Sequence, residues 1–215
     1  MYTDATMKYL NDVLASLAGL SQLLPATVLV AILIFLAREI LEGRRRKAAD
    51  ARKVKALKMV LARECQLNYT AIGRLRDTLM EIKEHGVTED AARLSLSNNA
   101  AGGYIYMITD HSGSGVGGVL IAIQRDTLLK YLVEIAGLDE GFYSKCEIAL
   151  DGLSEADHVY QGLVHGPEKH FPSTPENYYK GLIDYGLAEL NESIARLQEL
   201  YLVCTGSVLQ QGKLR

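Results

Sequence analysis

Between Asp12 and Arg38 the chain carries no charged side chain. The uncharged stretch, VLASLAGLSQLLPATVLVAILIFLA, is 25 residues long. A hydrocarbon core of about 30 Å requires about 20 helical residues, so this stretch is long enough to span a bilayer with some tilt. The preferred span is Leu17 to Ala37, with a kink at Pro25 that membrane helices tolerate because neighbouring groups satisfy the freed carbonyl. A cleaved secretory leader needs a positive start and a shorter apolar core. Here Lys8 faces Asp4 and Asp12 before the run, which speaks against one.

Basic residues set the orientation of a single span. Only Lys8 precedes the run, whereas Arg38, Arg44, Arg45, Arg46, Lys47, Arg52, Lys53, Lys55, Lys58 and Arg63 follow it. That asymmetry predicts a short outer N-terminus and a cytoplasmic C-terminal part, at the plasma membrane, or the inner membrane of a bacterium. The overall charge of −3 conceals the division. Residues 1–37 sum to −1, residues 38–63 to +7 (ten basic, three acidic), and residues 64–215 therefore to −9. Such a basic collar fixes topology and attracts anionic headgroups, at about 1 kcal/mol per basic residue near the surface. Arg38, Arg44, Arg45, Arg46 and Lys47 are the candidates for both roles. Near-neutral net charge gives no ground for a nucleic-acid partner.

The expected organisation is an outer N-terminus at 1–12, a transmembrane helix at 13–37, a basic stalk at 38–56 and a cytoplasmic helical domain at 57–215. From Arg44 to His85, Leu57, Leu61, Ile72, Leu75, Leu79 and Ile82 recur at helical steps. Glu64 and Asn68 interrupt that stripe one turn apart, and a buried polar pair requires partners. The runs RLSLS, YIYMIT and VLIAI, separated by glycine-rich spacers, predict a small antiparallel hairpin or meander. Two helices follow, Thr127 to Leu138 with Asp126 as N-cap, and Asp139 to Val164. HGPEKHFPSTP is expected to be a loop, because its three prolines oppose a helix. From about Glu176 to Gln211, Ile183, Leu187, Leu190, Ile194, Leu197, Tyr201, Cys204 and Val208 follow a heptad rhythm. This seam packs either antiparallel on the 44–85 helix or against a second copy. The fold class expected is mainly α: one transmembrane helix, a long stalk helix, and a helical bundle carrying a small β element.

No catalytic, cofactor or metal site stands out. Gly113–Gly118 holds a literal GxGxxG after a strand-like run, but a dinucleotide loop must open a helix, and VLIAI favours a strand. A hairpin turn is the simpler expectation; a nucleotide-binding enzyme is the alternative it leaves. His158, His165 and His170, with Asp157 or Glu168, lack metal-ligand spacing. Cys65, Cys146 and Cys204 are odd in number and widely spaced, as buried core residues are. Ala15, Gly19 and Gln22 inside the run, with the heptads, allow a homo-oligomer. The expected function is therefore a membrane-anchored interaction or regulatory module with the bilayer and an unidentified protein as partners. An oligomeric, membrane-perturbing effector is the second expectation.

Overall fold

Leu57, Leu61, Ile72, Leu75, Leu79 and Ile82 lie on one side of a single helix, and all six are buried. That helix, α1, runs Ala26–His85. It belongs to a computed structural model that describes residues 26–85, 92–98, 103–110, 112–169 and 175–210. The chain divides into two units, Met1–Arg52 and Lys53–Arg215.

In the first unit the described residues are helical throughout. Val28, Val30, Ile32, Leu33, Ile34, Phe35, Leu36, Ile40 and Leu41 are all exposed. Consecutive exposed positions from Ile32 to Leu36 cover every direction around a helix of 3.6 residues per turn. Among the described residues no helix is long and apolar enough to cross a membrane. Residues 26–37 are the described part of the uncharged run. Leu17, Pro25, Ala15, Gly19 and Gln22 lie outside the described residues, as does the N-terminus at 1–12.

The second unit is mainly helical, with one three-stranded antiparallel sheet of order β1-β2-β3. The strands are β1 Ala92–Asn98, β2 Tyr104–Asp110 and β3 Gly115–Leu120. Three helices follow: α2 Asp126–Leu138, α3 Glu140–Lys169 and α4 Pro175–Thr205. Residues on α3 and α4 meet in opposite chain directions. Lys145 meets Glu199 at 2.8 Å, Gly152 approaches Ser193, and Gly162 approaches Leu182. α4 also runs antiparallel to α1, as Gln66 with Tyr201 (3.0 Å) and Lys83 with Asp184 (3.7 Å) show. The core lies between these three helices and is closed by the inner face of the sheet, with Tyr106, Ile108 and Leu120 buried. Tyr106 ties sheet to helix, its hydroxyl donating to Glu81 Oε2 at 2.7 Å.

Several expectations from the sequence are corrected. The third strand is Gly115–Leu120, not the VLIAI run, because the turn closes earlier than the apolar residues suggest. Asp110 Oδ1 accepts the N–H groups of Ser112 (2.9 Å) and Ser114 (3.0 Å), and Gly113 takes a φ of +79°. Asp126 is the first residue of α2 rather than its cap; Arg125 holds that position without a side-chain cap bond. α3 continues through Pro167 to Lys169. One turn before that proline, Tyr178 Oη donates to the Gly162 carbonyl at 2.7 Å, and packing there holds the last turns. α4 ends at Thr205, where Gly206 adopts a φ of +73° and its N–H donates to Leu202 O at 2.7 Å. Val208 is consequently outside the helix and 69% exposed, so it is not part of the seam.

Candidate functional site

Glu64 and Asn68 come together with a stretch of chain that the sequence reading did not single out. Four residues apart on α1, they project to one side. Asn68, fully buried, donates from Nδ2 to Gln124 O at 2.7 Å and accepts Gln124 N–H on Oδ1 at 2.8 Å. Glu64, 6% exposed, lies against the first turn of α2, where its Oε1 faces the Leu128 N–H at 3.4 Å. A carboxylate here meets the positive end of the helix dipole and one of the N–H groups left open at a helix start. Arg125, between these contacts, reaches the other way to Asp157 on α3 at 3.0 Å and Ser154 Oγ at 3.3 Å. The β3–α2 connection is thus held from α1 and α3 at once. Ser154 and Asp157, one turn apart beside the buried Leu153 and Ala156, were the only sequence signal for the α3 half of this junction.

Burial raises the Glu64 carboxyl above its ordinary value, and the negative charge of Asp126 adds to that. The Thr127 hydroxyl and the Leu128 N–H oppose the shift. Glu64 Oε2 has no hydrogen-bond partner among the described residues. The arrangement can orient a helix and hold or release a proton.

The collar residues Arg38, Arg44, Arg45, Arg46 and Lys47 are all exposed on α1. Arg46 donates to Glu42 Oε1 at 2.7 Å, and this bond raises its pKa. Among the described residues no carboxylate lies within ion-pair distance of the other four. Ile34, Ala37, Arg38, Leu41, Glu42 and Arg45 line one open hollow of about 590 Å³ along the helix.

The seam residues lie on α4, but the deepest stripe is displaced from the one read in the sequence. Ile183, Leu190 and Leu197 are buried, whereas Leu187, Ile194, Tyr201 and Cys204 are half-buried at its margin. The other column of the buried face is Gly186, Ser193 and Leu200. Gly186 packs against Leu79 and Val159, and Ser193 Oγ donates to Gly152 O at 2.7 Å. The stripe is used within the chain, against α1 and α3.

The glycine cluster is a turn plus a strand: Gly113 turns the hairpin, and Gly115, Gly117 and Gly118 lie inside β3. A Cβ at Gly117 would meet the Tyr106 carbonyl at 2.6 Å, and one at Gly118 the Tyr106 ring at 2.9 Å. The glycines serve close strand and ring approach, and no helix opens behind them to face a phosphate. His158 and His165 make edge contacts with Tyr185 (6.1 Å) and Tyr104 (5.9 Å), and Asp157 is held by Arg125. His170 and the Glu168 side chain lie outside the described residues. Burial pushes all three thiols up, Cys146 to about 12 and Cys204 to about 11, so the reactive thiolate is disfavoured. Comparison with family models, with curated proteins and with solved structures finds no match to this chain.

Proposed function

We propose that the chain is a single-pass membrane protein whose segment 13–37 is the anchor and whose second unit is a non-enzymatic interaction module on the cytoplasmic side. The observation that carries the anchor is the exposure of large apolar side chains in every direction around α1 from Val28 to Leu41. In water such a helix would leave an apolar surface uncovered, whereas a bilayer is the solvent that covers it. The basic residues begin at Arg38, directly after the last uncharged residue, as they do on the cytoplasmic side of a span. The junction around Glu64 and Asn68 supports a module reading, since Asn68 and Glu64 Oε1 are engaged in positioning the chain at the start of α2.

Membrane fractionation of cells making the tagged full-length chain tests this. The chain is expected to stay with membranes through a carbonate wash. Protease added to sealed cells is expected to remove an N-terminal tag and spare a C-terminal one. Release by carbonate would overturn the anchor, and turnover by the purified protein against a substrate panel would overturn the non-enzymatic reading.

A further inference from the structure

Arg38 and Arg45 are seven residues apart, so they lie on one stripe of α1, about 10.5 Å apart along its axis. Leu41 sits between them, and Ile34 lies one turn before Arg38 on the same stripe. Together with Ala37 and Glu42 they form the wall of the open hollow on this helix. The stripe therefore alternates apolar and cationic: Ile34, Arg38, Leu41, Arg45. An ordinary amphipathic helix segregates the two kinds of residue. Alternation along a single line suits a ligand that is itself part apolar and part anionic.

Among the described residues Glu42 is the one acidic group in this wall, and its position decides what the stripe can hold. It has an arginine one turn before it (Arg38) and one turn after it (Arg46). The carboxylate pairs with Arg46 at 2.7 Å. Arg46 thus occupies the charge that would otherwise quench Arg38 or repel an anion. Arg38 and Arg45 are left without an acidic partner among the described residues. Each guanidinium is a planar fork that matches phosphate geometry, and a phosphate between them would be met from two sides.

We propose that Arg38 and Arg45, with Ile34, Ala37 and Leu41, form a binding site for one anionic phospholipid, its phosphate held between the two guanidinium groups and an acyl chain along the apolar side chains. This rests on the membrane-anchored reading. It differs from a diffuse collar field because only two of the five clustered cations carry the site. Arg46 takes part by holding Glu42, and Arg44 and Lys47 point to other sides of the helix.

The test uses the full-length protein reconstituted into vesicles of phosphatidylcholine with a minor share of phosphatidylglycerol. It is then extracted gently, and the co-purifying lipid is counted by mass spectrometry. Wild type is expected to retain phosphatidylglycerol well above its share in the vesicle. The double variant R38A/R45A is expected to lose that preference by roughly 30-fold in relative affinity. The equal-charge control R44A/K47A is expected to keep most of it. E42Q, which removes the acidic wall residue, is expected to raise it. Equal losses in the two double variants would overturn the site in favour of a diffuse field, as would a wild type without headgroup preference. Displacement of the lipid by excess inorganic phosphate would overturn the commitment to a lipid. A carbonate wash of the same vesicles separates the failures: protein that stays in the membrane yet shows no preference sinks only the site, and protein that washes off sinks the anchor with it. Circular dichroism melting of each variant excludes misfolding as the cause of a loss.

Discussion

Asn68 holds a single residue of the chain by both its peptide groups, the N–H and the C=O of Gln124. Removing its amide takes away two part-buried hydrogen bonds, each contributing about 0.5–1.5 kcal/mol. Asn68→Ala is therefore expected to destabilise the protein by about 1–3 kcal/mol, read as a lower midpoint in urea unfolding of the detergent-solubilised full chain. A change within experimental scatter would mean that solvent reaches this peptide. Glu64 behaves differently, because it is buried with one oxygen unpartnered among the described residues. Its folded-state pKa is raised above the ordinary 4.5 by burial. Above the folded value the charged form is penalised in the folded state only. As pH falls through that value towards 4.5 the folded protein takes up a proton before the unfolded chain does, and stability rises. Below 4.5 both states are protonated and the contribution no longer changes. Glu64→Gln lacks this component. The difference in Tm between wild type and E64Q is expected to shift in favour of wild type as pH falls through this window. A difference that stays flat across it would count against a raised carboxyl.

At the scale of elements, the α3–α4 pair depends on small residues where the two helices meet. A Cβ at Gly152 would lie 3.2 Å from the Ser193 backbone and 3.1 Å from Arg196, whereas Gly181 on the same pair has nothing within 4 Å. Gly152→Val is expected to cost about 1–3 kcal/mol through overpacking. Gly181→Ala is expected to add about 0.5–1 kcal/mol, since it gains helix propensity at no steric cost. Thermal melts of the two variants check both signs, and a destabilising Gly181→Ala would show that this face is covered in solution. The same pair shows what a sequence reveals. Leu57 through Ile82 on α1 were legible because every member of the stripe is a large aliphatic residue, and periodicity detects those. On α4 the rule that apolar means buried selected Leu187, Ile194 and Tyr201 and passed over Gly186 and Ser193. These two are inside because a neighbouring helix comes close, and closeness is a tertiary fact. β3 was misplaced for a related reason: GVGG is poor strand sequence by propensity, yet pairing with β2 favours residues without a Cβ at Gly115 and Gly117. Glu64 and Asn68 were readable as a polar interruption. Their partner was not, since a backbone peptide at Gln124 leaves no mark in the residue alphabet.

At the scale of the whole molecule the governing quantity is the distribution of charge along the chain, +7 over residues 38–63 against −9 over residues 64–215. In the membrane-anchored reading we propose, the collar would serve two functions that obey different counting rules, and this allows them to be separated. Orientation of a span follows the number of Lys and Arg near its ends, and acidic residues contribute little. By that rule Arg46 counts in full although Glu42 is paired with it. Binding of a headgroup follows the local field, and by that rule Arg46 counts for little while Arg45 counts in full. Three lysines added before Asp12 would narrow the asymmetry of ten basic residues against one and give a mixture of orientations. In that background Arg45→Gln and Arg46→Gln are expected to raise the inverted fraction equally, measured by protease protection of N- and C-terminal tags. The same two substitutions in the unmodified chain are expected to differ in retained phosphatidylglycerol, with a direct loss only for Arg45→Gln. Unequal effects on orientation would show that the Arg46–Glu42 pair persists during insertion. The collar would then act through its net field, and the basic-residue count would cease to explain the proposed orientation.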